Sequence, residues 1–157
     1  MATINDKFSA VTGITISLNS LASSNAGVGR QSTLIDNTSN LYLSAIISVS
    51  LKMGTTPTAN SVAYVFLIRS NNDTTPIADD GAGTTDAAIT IVQSNLLGVI
   101  LCPSATTGAV LAKNFDTLPL GLPLGPKWGV AVVNSTQVAL SSSGHTVDFI
   151  GRTQTVA

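Results

Sequence analysis

The chain has 157 residues, of which 44% are hydrophobic, 10% charged and 4% aromatic, with a formal net charge of −1. This length fits one domain with a sizeable core, and high hydrophobicity with little charge is the reverse of a disordered composition. Seven Lys and Arg leave no electrostatic footprint for nucleic acid, the single Cys102 excludes an internal disulfide, and no apolar run approaches a membrane span.

Residues 1–6 are polar enough to form a flexible N-terminal arm. With Asp6 and Lys7 inside the first ten residues, no secretory signal is visible, and synthesis in a cytoplasm is expected. The sequons at Asn37, Asn72 and Asn134 therefore carry no weight as glycosylation sites. Glutamate is absent while Thr, Ser, Val, Ile and Gly abound, a composition suited to a pleated, half-buried surface rather than to helices. A first strand is expected over residues 8–18, with Gly13 as a bulge, and a second over 31–36. From 41 to 51 every odd position is apolar and Ser44, Ser48 and Ser50 fall between, the alternation of a strand with one face on a core. Further strands are expected at 61–69, 87–93, 96–101, 108–115, 128–134 and 145–151, separated by turn-rich pieces. About eight short strands without intervening helices predict an all-β fold, an antiparallel two-sheet β-sandwich of jelly-roll type. The strand at 61–69 is apolar on both faces. Its second face is either covered within the chain or lies in a subunit interface, which makes Val62, Tyr64, Phe66, Leu67 and the distant Trp128 interface candidates.

The residues that carry chemistry are few. His145 is the only histidine; it stands beside Ser141, Ser142, Ser143 and Asp148 in one turn and the start of one strand. A catalytic relay draws its three groups from separate elements, so these residues read as a turn. Cys102 follows an apolar run and precedes Pro103, which reads as a buried, inert thiol. Asp73, Asp79, Asp80 and Asp86 share a long polar loop, where Asp79, Asp80 and Asp86 offer oxygen ligands for Ca²⁺. Their spacing does not match an EF-hand, and solvated turns use the same residues. No catalytic or cofactor-binding set emerges, and a non-enzymatic role is expected. The Pro- and Gly-rich connector over 118–126 has restricted conformational freedom, as a contact arm requires.

Two segments carry a resemblance. Gly29-Arg30-Gln31-Ser32-Thr33-Leu34-Ile35-Asp36-Asn37-Thr38-Ser39-Asn40-Leu41-Tyr42-Leu43-Ser44-Ala45 and Pro119-Leu120-Gly121-Leu122-Pro123-Leu124-Gly125-Pro126-Lys127-Trp128-Gly129-Val130-Ala131-Val132-Val133-Asn134-Ser135-Thr136 are similar to segments of small virion proteins of tailed bacteriophages. The resemblance implies a β-sandwich on the virion, a head decoration (cement) protein that binds the major capsid protein lattice and itself, with a trimer as the first expectation. It brings no catalytic, metal or cofactor residues with it, and neither nucleic acid nor membrane is an expected partner. The alternative is a receptor- or glycan-binding fibre or tail module displaying Tyr42, Tyr64 or Trp128.

Overall fold

The structure, a computed structural model, describes residues 4–24, 27–70, 85–89 and 96–156. Among them are eleven strands: β1 (Ile4–Phe8), β2 (Thr12–Gly13), β3 (Val28–Gln31), β4 (Ile35–Asp36), β5 (Ser44–Lys52), β6 (Val62–Ser70), β7 (Ala87–Ala88), β8 (Leu96–Leu101), β9 (Val110–Asp116), β10 (Lys127–Ser135) and β11 (Thr146–Val156). One sheet has the order β1-β11-β5-β9 with β2 also on β11; the other runs β7-β3-β10-β6-β8 with β4 also on β10. Every pairing is antiparallel. Among the described residues no helix is long and apolar enough to cross a membrane.

The short strands are halves of longer ones, each interrupted by a bulge that a serine repairs. Between β1 and β2, Ser9 N–H donates to Gly151 O (2.9 Å) while Gly151 N–H donates to Ser9 Oγ (2.9 Å). Between β3 and β4, Ser32 N–H donates to Val130 O (2.8 Å) while Val130 N–H donates to Ser32 Oγ (3.0 Å). In both places a hydroxyl stands in for the ladder carbonyl that the bulge displaces. With each interrupted pair counted once, eight strands lie in the nested arrangement of a jelly roll, β7 being an added edge. The sandwich expected from the alternation is the fold that forms.

The main core lies between the sheets. In β5 the apolar positions Ala45, Ile47, Val49 and Leu51 are buried and the polar positions from Ser48 to Lys52 are half-buried. They meet Val65, Leu67, Trp128, Val130 and Val132 from the facing sheet. A second cluster of Phe66, Ile68, Ala131 and Val133 lies on the other face of β6 and β10, packed with Ile89, Leu34 and Leu96. Coverage within the chain, the first of the two expectations for β6, is therefore what the structure shows for Phe66.

Several boundaries differ from expectation, each for a local reason. The first strand begins at Ile4 and stops at Gly13; residues 14–24 leave the sheet and bury Ile14, Leu18 and Leu21 in the core. From Ile4 on, the arm expected over residues 1–6 is strand β1, because the end of β11 extends far enough to pair Ile4 with Val156 and Phe8 with Arg152. All five β1 side chains are exposed. β5 starts at Ser44 rather than 41, since Leu41 has φ +53° and cannot continue a strand. Of the strand expected at 87–93 the structure shows β7; residues 90–93 lie outside the described set.

Two further features fix the frame. Asn134, with no exposure, donates from Nδ2 to Leu21 O (3.1 Å) and Val138 O (2.8 Å). Its Oδ1 accepts from Thr136 N–H (3.1 Å) and Thr136 Oγ1 (2.7 Å), so one amide ties the segment at Leu21 to the connection that follows β10. On one flank, edge strands β8 and β9 lie near each other in opposite sheets. There Lys113 takes the inward position opposite Val49, donates from Nζ to Val99 O (3.0 Å) and lies 5.4 Å from the Phe115 ring centre. An inward lysine on an edge strand discourages pairing with a further strand.

Candidate functional site

Among the described residues, four of the nine exposed large apolar side chains lie on the β4–β5 connection and the β9–β10 connection; the others are Ile4, Phe8, Val11, Leu101 and Val110. Leu41 (67%), Leu43 (54%), Leu118 (54%) and Leu120 (48%) all stand in solvent there. Both connections are rigid for identifiable reasons. Asp36 Oδ1 accepts from Thr38 N–H (2.8 Å) and Thr38 Oγ1 (2.6 Å), which starts a turn that Leu41 N–H closes on Asn37 O (3.0 Å). In the other connection, Leu118 N–H donates to Asp116 Oδ1 (2.9 Å), and Gly121, in the left-handed region at φ +63°, donates its N–H to Leu118 O (3.0 Å). Ala45 N–H donates to Thr117 Oγ1 (3.0 Å) and Thr117 N–H to Ala45 O (3.0 Å), fixing that loop to the start of β5.

Asn37 joins the two. It is buried (5%), donates from Nδ2 to Tyr42 O (3.0 Å) and Gly125 O (3.0 Å), and accepts at Oδ1 from Tyr42 N–H (2.9 Å). Its own N–H donates to Pro126 O (2.8 Å). Behind it the Tyr42 ring stands edge-on to Phe149 (6.0 Å), which stands edge-on to Trp128 (4.9 Å). The result is a groove of about 510 Å³ lined by Leu41, Tyr42, Leu43 and residues 123–126, with Asn37 and Thr38. Next to it is a hollow of about 220 Å³ lined by Leu43, Leu118, Leu122 and Pro123 with Thr117 and Gly121. No charged residue lines either. Such a surface removes apolar area from water on contact and has little to reorganise before it does so.

Asp36 is the charged group closest in sequence to this turn. The hydroxyl and N–H of Thr38 hold its carboxyl below the usual carboxylate range, with desolvation opposing them and the Lys127 charge adding least. A depressed folded value means a contribution that is full above the unfolded value and lost as pH falls through the folded one. Acidification below about pH 4 is therefore expected to loosen the 36–41 turn. Asp36→Asn removes that part of the pH dependence, and melting curves of both proteins from neutral to acid pH measure it. Parallel curves would show that the turn does not depend on this carboxylate.

The residues singled out by sequence fall as follows. Phe66, Leu67 and Trp128 have no exposure within the single chain, while Val62 and Tyr64 are half-buried. Trp128 is thus an interior residue behind the apolar end, and an interface role for Phe66 or Leu67 has no surface to act through. His145 Nδ1 accepts from Lys52 N–H (3.2 Å), which places the ring proton on Nε2, facing Ser141 O (2.9 Å). Both nitrogens are engaged by backbone, and Asp148 stands opposite Gly13 on β11. Cys102 is buried, with Sγ 3.2 Å from Ser104 O. Asp86 pairs with Arg30 and accepts from Ala22 N–H (3.5 Å); Asp73, Asp79 and Asp80 lie outside the described residues. The sequence marks Asn37 only as a sequon and Leu41 only as a strand position. The 118–126 connector, expected as a contact arm, forms half of the surface.

No family model and no curated protein matches the chain. Among solved structures it is similar to a chain of the infectious bursal disease virus Gx strain, with 12% identity over 96% of this chain and 42% of that one, at a TM-score of 0.36. It is also similar to chains of the Gt strain of that virus (15% identity, 92% and 39% covered, TM-score 0.25) and of its VP2 subviral particle (14%, 94% and 40%, TM-score 0.27). The chain spans about two fifths of the length of these structures. Likeness at this level carries no inference about its role.

Proposed function

We propose that this chain is a non-enzymatic structural protein of a virion, a decoration protein on the head exterior that binds the major capsid protein lattice as a homo-oligomer and stabilises the shell. One observation carries the reading. The two segments that resemble phage virion proteins, far apart in sequence, meet at the apolar end, where Asn37 of the first donates to Gly125 O of the second. They build a rigid, uncharged contact surface there. Contacts of this kind, each weak, add through avidity when a shell repeats them. With little charge at the surface, salt screening weakens them little.

Mixing the purified chain with shells that lack it tests the reading. Cosedimentation with the shells and greater resistance of the decorated shells to heat and osmotic shock are expected. Failure to bind, or binding without a gain in resistance, counts against a cement role. Jelly rolls also serve as lectin domains, so density at a tail or fibre tip in electron microscopy of the virion would favour a receptor-binding module.

A further inference from the structure

We propose that the cleft between the β1–β11 ribbon and the 36–42 turn binds an acidic sugar, a single pyranose ring carrying a carboxylate. The inference goes beyond the decoration reading and does not depend on where the chain sits on a virion. Its structural origin is a mismatch in strand length. β11 runs on past the start of β5, so that among the described residues 153–156 pair only with β1, whose side chains are all exposed. Between this ribbon and the turn lies a pocket of about 280 Å³, lined by Lys7, Phe8, Ser9, Asn40, Tyr42 and Thr153. Tyr42 is common to this pocket and to the apolar groove.

Charge gives the sign of the ligand. Among the described residues, Lys7 is the only charged one on the pocket. Ion pairs between described residues employ Arg30 and Arg152, and Lys7 has none. The acids adjacent in sequence are committed elsewhere. Asp6, on the opposite face of β1 by strand alternation, accepts from Gln154 Nε2 (3.3 Å), and Asp36 accepts from Thr38. A pocket with one cation and no acid selects an anion.

The remaining lining narrows the class. A phosphate or a bare carboxylate is held by donors alone. Here Asn40 and Thr153 offer acceptors as well as donors, and Tyr42 adds a hydroxyl, a mixture that suits the hydroxyls of a sugar. Phe8 and Tyr42 supply the apolar flank on which the C–H face of a sugar ring packs. The volume lies just below the roughly 300–1,000 Å³ of drug-sized sites, which leaves room for one ring. The walls are set in advance, because Asn37 holds the Tyr42 backbone from both sides and Ser9 is locked to Gly151 across the bulge.

Titration of the isotope-labelled chain with methyl β-glucuronide, followed by NMR, tests this, with methyl β-glucoside and acetate as controls for the charge and the ring. Amide shifts confined to the pocket are expected, with a Kd of about 1 mM that rises with added salt. Lys7→Gln, on a fully exposed strand and so without effect on the fold, is expected to weaken binding about tenfold. Tyr42→Phe, which keeps the ring and removes the hydroxyl, is expected to weaken it about threefold. Absence of shifts at about 50 mM glucuronide, equal affinity for the glucoside or for acetate, or a Lys7→Gln chain that binds like wild type overturns the proposal. Equal binding of acetate would assign the pocket to an acidic protein side chain instead. A uronate trisaccharide that binds more tightly than the monosaccharide assigns the ligand to a polysaccharide, equal affinity assigns it to a free sugar acid, and both uphold the pocket.

Discussion

Asn134→Asp is expected to cost about 3–5 kcal/mol of folding stability at neutral pH. The side chain has no exposure and its amide N–H groups serve two carbonyls, Leu21 O and Val138 O. A carboxylate of the same shape offers only acceptors, so it faces two carbonyl oxygens with nothing to donate and brings a buried charge as well. Such a carboxyl titrates above its unfolded value. By linkage, its folded state is favoured below the unfolded value and loses that advantage as pH rises through the folded one. The gap to wild type should therefore narrow as pH falls from 7 towards 4, when the protonated acid regains one donor. Urea unfolding at the two pH values measures it, and a gap below about 1 kcal/mol, or one that ignores pH, would falsify the role assigned to the amide.

The second large effect is expected at Gly151. A methyl group built on its α-carbon overlaps Cγ, Cδ1 and Cε1 of the Tyr42 ring, which lies flat against the glycine. The ring cannot simply swing aside, because the Tyr42 N–H and carbonyl are both held by Asn37 and the ring is packed edge-on to Phe149. Gly151→Ala is expected to cost about 1–3 kcal/mol through overpacking and to distort the groove. The clash is with one side chain, so it is testable by a cycle. Adding Gly151→Ala to a Tyr42→Ala chain should cost far less than adding it to wild type, a coupling of roughly 1–3 kcal/mol. Additive effects would show that the glycine is needed for something other than the ring.

How much of this was legible in the sequence varies from element to element. β5, β8 and β9 follow from alternation or apolar runs bounded by turn residues, and their positions agree with the structure to within a few residues. β6 and β10 were equally plain as strands, but apolar residues on both faces cannot say what covers the second face. The cover comes from Leu34, Ile89 and Leu96, remote in the chain and without a pattern of their own. The split strands were not legible either, because a serine that replaces a ladder carbonyl looks like any serine. At the candidate site, the proline and glycine of the 118–126 connector signalled stiffness. Leu41 continues the odd-numbered alternation of the strand that follows, whereas its backbone lies in the left-handed region. The sequon pattern has a physical origin too: at Asn134 the hydroxyl two residues on is the partner of Oδ1, and burial leaves no room for a glycan.

The position of β11 governs when this surface comes into being. Last of the strands in sequence, it lies inside its sheet, between β1 and β5. A nascent chain that has made β1 through β10 still lacks the spine of one whole sheet, and its first strand has nothing to pair with. Closure joins Ile4 to Val156, nearly the longest sequence separation the chain permits. Folds dominated by such pairings form slowly. Gly151, the floor on which Tyr42 rests, also belongs to β11. The leucine end is thus unfinished until this strand has been synthesised and has docked.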